Sequence, residues 1–159
     1  MCNRNSSLGR IQFYGSLILL TACRTLPPLP PVNLADPGWH IQQGQAVWRP
    51  RLHAPELAGD LLVATNLDGR ILVQFTKTPV PFVVAQATSN TWQIQWVPQN
   101  KTYSGHGEPP RRLSWLYLPQ CLSGHAVQSL ELVRLAQGQW RLSNSISGET
   151  LEGFLSNSR

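Results

Sequence analysis

Thr91-Trp92-Gln93-Ile94-Gln95-Trp96-Val97 alternates without a fault: Trp92, Ile94 and Trp96 fall on one side of an extended chain, and Thr91, Gln93 and Gln95 on the other. A period of two with wide aromatics on one face marks a half-buried strand, because successive side chains of a strand point to opposite faces. The same grammar precedes it. Leu61-Leu62-Val63-Ala64-Thr65 runs into the turn Asn66-Leu67-Asp68-Gly69, and Arg70-Ile71-Leu72-Val73-Gln74-Phe75-Thr76 then places Ile71, Val73 and Phe75 on one face. Asp-Gly supplies the left-handed conformation that a tight hairpin needs. Pro79 and Pro81 interrupt before Phe82-Val83-Val84-Ala85-Gln86-Ala87, and Ser89-Asn90 turns that run into the opening stretch.

Downstream, Ser129–Leu135, Gln139–Ser143 and Glu149–Leu155 repeat the pattern across Gln137-Gly138 and Gly148, and Ala46–Arg51 suggests an early strand ended by Pro50. The body therefore divides into seven or eight strands with hardly any helix. The expected fold is mainly β: a curled antiparallel sheet or incomplete β-barrel, shaped to protect its edges. Residues 105–110 (GHGEPP) read as a loop. After them Leu113, Leu116 and Tyr117 recur at i, i+3, i+4, which suits a short helical or irregular plug across one sheet face, limited by Pro119 and Gly124.

The chain ahead of the body has a different character. Arg4 and Arg10 lead, without an acid, into an apolar run that ends in Leu20-Thr21-Ala22-Cys23. A basic start, a short apolar core and small residues before a cut make a secretory signal, and the run is too short and interrupted to span a bilayer. Thr25–Val32 then carries four prolines, a composition that favours extended polyproline II. The expected organisation is a signal over 1–22, a Cys and Pro-rich tether over 23–38, and a single domain over 39–159.

Composition narrows the function classes. With 159 residues, a net charge of +5 and 13% charged residues, the chain has no clustered basic stripe for nucleic acid; Arg111-Arg112 is its longest basic run. His40, His53, His106 and His125 share no metal-ligand spacing, so neither a metal nor a cofactor is expected. The acids are scattered, and Glu149 and Glu152 fall on opposite faces of a strand. No nucleophile elbow or phosphate loop is present, and a lone Cys121 is commonly a small buried hydrophobe. The expectation is a non-enzyme; a hydrolase built on Cys121 and His125 is the weaker rival.

Leu20-Thr21-Ala22-Cys23 resembles the bacterial lipobox, which implies cleavage before Cys23, acylation of that residue and anchoring in a membrane. Arg24 stands where an Asp would signal inner-membrane retention in enteric bacteria, so the resemblance implies the outer membrane. Together with Asp68-Gly69-Arg70-Ile71-Leu72-Val73-Gln74-Phe75, Trp92–Trp96, Tyr103-Ser104-Gly105-x-Gly107-x-Pro109-Pro110 and Leu118-Pro119-x-x-Leu122-x-Gly124, the order of motifs is similar to the LolA/LolB-type lipoprotein carriers. That family has an incomplete barrel, lidded by helices, whose apolar cavity takes lipid acyl chains. The likeness implies lipid or lipoprotein acyl chains as ligands and an envelope carrier protein as partner. It implies a cavity face of Ile71, Val73, Phe75, Trp92, Ile94 and Trp96, covered by Leu113 and Leu116, with Arg111 and Arg112 for a headgroup. A structural or assembly lipoprotein, binding a partner through a sheet edge or the 98–112 loop, remains the alternative.

Overall fold

The computed structural model describes residues 27–157, with the side chain of Asn157 outside the description. Cys23 and the leader lie outside the described residues. Nine strands form one antiparallel sheet: β1 (Trp39–Arg49), β2 (Leu57–Asn66), β3 (Ile71–Lys77), β4 (Val80–Ala87), β5 (Thr91–Trp96), β6 (Lys101–His106), β7 (Leu130–Arg134), β8 (Gln139–Asn144) and β9 (Thr150–Asn157). Their order is β6-β5-β4-β3-β2-β1-β9-β8-β7, so the chain zigzags outward from β1 to one edge and returns to the other side of β1 with β9. The two edges, β6 and β7, do not meet, and the sheet is an open one. Among the described residues a single α-helix, α1 (Ser114–Leu122), crosses between the two halves.

The sheet is strongly curled. Trp48 on β1 and Trp96 on β5 are four strands apart in the order, roughly 19 Å in a flat sheet with strands about 4.8 Å apart. Their rings nevertheless stack with centroids 5.4 Å apart. Consistently, α1 touches β2, β3 and β4 on one side and β7 and β8 on the other. Glycines permit the tight coil: a Cβ on Gly44 of β1 would lie 1.9 Å from the Phe154 carbonyl oxygen of β9.

The register puts one continuous stripe on the inner face. Thr65, Val63 and Leu61 pair with Ile71, Val73 and Phe75, which pair in turn with Ala87, Ala85 and Val83, and these with Trp92, Ile94 and Trp96. The hairpin and alternation readings therefore hold through β2–β5. Helix α1 fills the bowl they form: Trp115 is 0% exposed and packs against Trp48 at 5.5 Å and Phe75 at 5.5 Å. Edge-to-face and tilted aromatic contacts of this kind add to the area they bury. Leu116, Tyr117, Leu118 and Cys121 are buried with it.

The helix runs further than its sequence suggests. It continues through Pro119 and ends at Ser123, where Gly124 at φ +90° lets its N–H reach the Cys121 carbonyl and that of His125 reach the Gln120 carbonyl. This paired closure is the helix stop that a glycine in the left-handed conformation allows. Two strands are longer or additional to expectation. β1 begins at Trp39, well before Ala46, and Lys101–His106 forms the edge strand β6 within a stretch read as loop. Both are polar segments held by backbone pairing to β2 and β5. Gly105 fits there because its missing Cβ leaves room for the Trp92 ring, 2.5 Å from where that atom would stand.

The Pro-rich segment also differs from a free spacer. From residue 27 it is held to the outer face, where the Leu29 N–H donates to Gln93 Oε1 at 2.9 Å. Leu29, Val32 and Leu34 are half-buried, and the outer-face residues Ala64, Leu72 and Gln93 are buried. An amphipathic outer face that needs a cover explains the docking: a strand with apolar residues on both sides cannot leave both in water.

Trp115→Ala removes the centre of the plug and leaves a cavity between α1 and the sheet. It should destabilise the fold by about 3–5 kcal/mol, read as a lowered midpoint in urea denaturation. A loss below about 1 kcal/mol would show that α1 does not pack on the inner face.

Candidate functional site

The floor of the bowl, the rim on either side of α1 and the network that pins the helix are three distinct environments. Val73, Phe75 and Ile94 form the floor and are fully buried beneath the helix. Of the other five apolar residues expected to face a cavity, Ile71, Trp92 and Leu116 line an open groove on one flank of α1, and Trp96 and Leu113 line a cleft at its N-terminal end.

The groove consists of two clefts, of about 870 Å³ and about 410 Å³, that share Gly69, Ile71 and Gln120 in their walls. It follows α1 from Ser123 and His125 past Leu122, Val63 and Ile71 to Ala87, Trp92, Leu116 and Tyr117. Volumes of this size are typical of sites for small organic ligands. Polar side chains share its walls with the apolar ones, among them Thr65, Thr91 and, where the two clefts meet, Gln120. His40 and His125 edge one end, with His125 Nδ1 2.9 Å from the Ser123 hydroxyl. At the other end the Tyr117 hydroxyl donates to the Pro109 carbonyl and, at 3.2 Å, to Glu108 Oε1. Burial, then the Glu108 carboxylate, push the tyrosine pKa up to about 12, so it remains a donor at neutral pH.

The cleft at the other end of the helix, about 290 Å³, has Trp48, Trp96, Tyr103, Trp115, Arg112 and Glu149 among its walls. Glu149 lies just before β9 and is 5% exposed. Trp48 Nε1 donates to its Oε1 at 2.7 Å. Ser114, the first residue of α1, lies against the same carboxylate, where its hydroxyl and backbone N–H favour the ionised form. The Trp115 indole acts on it in the same sense, although its N–H completes no hydrogen bond of normal geometry. Asn144 extends the network, donating to Ser114 Oγ at 2.9 Å and to the Arg111 carbonyl at 2.9 Å. Burial pushes the Glu149 carboxyl above its ordinary value, against these hydrogen bonds, which pull it down.

The two arginines expected at a headgroup site part company. Arg111 is engaged by Glu108 at 3.7 Å and by Gln128. Arg112 is exposed and makes no ion pair or side-chain hydrogen bond among the described residues, and it alone lines the cleft. Glu152 faces outward to Arg141 at 2.8 Å, diverging from Glu149. Cys121 is buried and burial raises its thiol pKa, which works against a thiolate nucleophile at neutral pH. No group of three or more metal-ligating side chains occurs among the described residues. Sequence reading found the apolar stripe but passed over Glu149, whose neighbours come from positions 48 and 114 and leave no local signal.

Set beside known protein families and characterised proteins, the chain matches none.

A group whose folded pKa lies above its unfolded value contributes most below the unfolded value, and that contribution is lost as pH rises through the folded one. For Glu149, with an ordinary value of 4.5, stability relative to Glu149→Gln should therefore fall as pH rises from about 4 toward 8. Urea midpoints of both proteins across that range measure it. A difference that stays flat or grows with pH would mean that the carboxylate is not confined as described.

Proposed function

We propose that this chain is a membrane-anchored bacterial lipoprotein, tethered through Cys23, that binds a lipid acyl chain in the groove beside α1. The observation that carries the reading is the groove itself: an elongated cleft along α1 whose walls include the apolar residues Val63, Ile71, Ala87, Leu116 and Leu122. An acyl chain suits such a site because each buried methylene contributes about 0.8 kcal/mol and needs no hydrogen-bond partner. His40 and His125 stand where a polar end of the chain would leave the groove. The resemblance of the motifs to LolA/LolB-type carriers supports the same ligand class, and it extends the proposal to receipt or insertion of lipoproteins at the outer membrane with an envelope carrier as partner. No catalytic step belongs to this reading.

One feature favours a second role, in structural or assembly work. β6 and β7 are open edges carrying unpaired backbone groups, and β6 occupies the middle of the 98–112 stretch. Strand addition at β6 would supply backbone hydrogen bonds to a partner without using the groove.

Displacement of a fluorescent fatty-acid probe by unlabelled fatty acid separates the two. The carrier reading predicts saturable binding that Ile71→Glu weakens by about tenfold or more, with little change in melting temperature because Ile71 is half-buried at the rim. Glu131→Ala, on the exposed part of β7, should leave binding unchanged. Absence of probe binding, or equal binding by Ile71→Glu, would remove the groove from the account.

A further inference from the structure

The segment ahead of β1 constrains how an anchored domain meets its membrane. From Trp39, where β1 begins, it leads back to the outer face of β5, and there the Leu29 N–H donates to Gln93 Oε1 at 2.9 Å. Gln93 in turn pairs with Ser104 of the edge strand β6. Pro27, two residues before this contact, therefore lies at the β5–β6 side of the domain. Only Arg24, Thr25 and Leu26 separate it from Cys23. The chain from Cys23 to Pro27 reaches at most about 14 Å, at about 3.6 Å per residue. An acylated Cys23 thus keeps this side of the domain close to the bilayer.

We infer that the β6 edge lies on the anionic lipid surface of the membrane that holds Cys23. The inference rests on the lipid anchor proposed above, and the charge distribution supports it separately. From Gly69 to Gly107, the stretch that holds β3 to β6, the chain has no Asp or Glu. Lys101, at the start of β6, and Arg112, just before α1, are exposed and form no ion pair among the described residues. Lys101 pairs with Trp96, and Trp96, Tyr103 and Arg112 share the walls of one cleft, so both cations stand at one corner. Unpaired cations there are drawn to anionic headgroups. Tyr103, 48% exposed beside them, combines an apolar ring with a polar tip, as the membrane interface favours. The acids gather elsewhere. Glu56, Asp60 and Glu152 line a cleft with Gln45 on the outer face of β1, β2 and β9, with Arg49 and Arg141 pairing two of them. Trp48 and Trp96 stack across the bowl, so the outer face of β1 points away from that of β5. One end of the acyl groove, at Trp92 and Gly107, adjoins β6 and has a short path to the bilayer. An edge held on lipid is closed to strand addition, so this placement excludes a protein partner at β6.

Site-directed fluorescence on the full chain, produced in a bacterial host and reconstituted into vesicles of phosphatidylethanolamine and phosphatidylglycerol, tests the placement. Thr102→Cys on β6 and Gln45→Cys on the outer face of β1 are exposed positions for a thiol-reactive dye. A lipid carrying a nitroxide on its headgroup should quench the dye at position 102 and leave the dye at position 45 bright. Lys101→Glu combined with Arg112→Glu should relieve the quenching at position 102, while the protein still floats with the vesicles. Equal quenching at both positions, stronger quenching at position 45, or quenching that ignores the charge reversal would overturn the inference. Intact mass and flotation separate its failure from that of the anchor. A chain acylated at Cys23 that floats but stays bright at position 102 contradicts the β6 placement alone. A chain without acyl groups contradicts the anchor, and the placement falls with it.

Discussion

A single buried carboxylate ties the helix to the sheet. Helix α1 begins at Leu113 and Ser114 with no side-chain cap of its own and no acid in its first turn. Its first N–H groups have no partner within the helix, and its dipole leaves partial positive charge there. Glu149, brought from the turn before β9, supplies an acceptor beside the Ser114 N–H and hydroxyl, while its Oε1 takes the Trp48 N–H from β1. Three segments distant in sequence meet on one group. A charge buried this deeply is costly unless its hydrogen bonds are met, so the network holds as a unit. It fixes where α1 enters the bowl, and hence which flank of the helix stays open as the groove and which residues end beneath it.

The aromatic cluster depends on the same placement. With the helix entry fixed, Trp115 drops between Trp48 and Phe75, and the curl of the sheet brings Trp96 onto the far side of Trp48. Close packing of four rings makes the floor of the bowl a solid core rather than an open cavity. Space for a ligand is displaced to the flanks, where the helix surface falls away from the strands toward Gly69 and Ala87. The fold thus divides its inner face between stability in the middle and accessible surface at the rims.

How much of this the sequence displays depends on whether the signal is local. The strands β2 to β5 were legible because their inner residues alternate with Gln, Thr and Ala over short hairpins, and the face of Ile71, Val73, Phe75, Trp92, Ile94 and Trp96 is common to all six. β6 was not legible: Lys-Thr-Tyr-Ser-Gly-His has no apolar face, and its strand character comes from pairing with β5 and from the room Gly105 leaves for Trp92. The start of β1 failed for the same reason, being rich in Gln. Pro119 looked like a stop, yet packing of Leu118 and Cys121 against the core carries the helix past the hydrogen bond the proline cannot make. At the site, membership of the apolar face could be read from parity alone, but the division into floor, groove and cleft arises from the position of α1. That position is set by Glu149, a residue whose partners lie 101 positions away at Trp48 and at the start of the helix.

The functional account rests on the groove being a place where a hydrocarbon chain resides. The most direct measurement is native mass spectrometry with lipid extraction on protein purified from a membrane-containing host, without added fatty acid. One acyl-bearing molecule retained per chain, lost when Leu122 and Ile71 are replaced by charged residues, is the predicted result. A protein that emerges empty, and whose extract holds no lipid above that of the doubly substituted chain, would contradict the account.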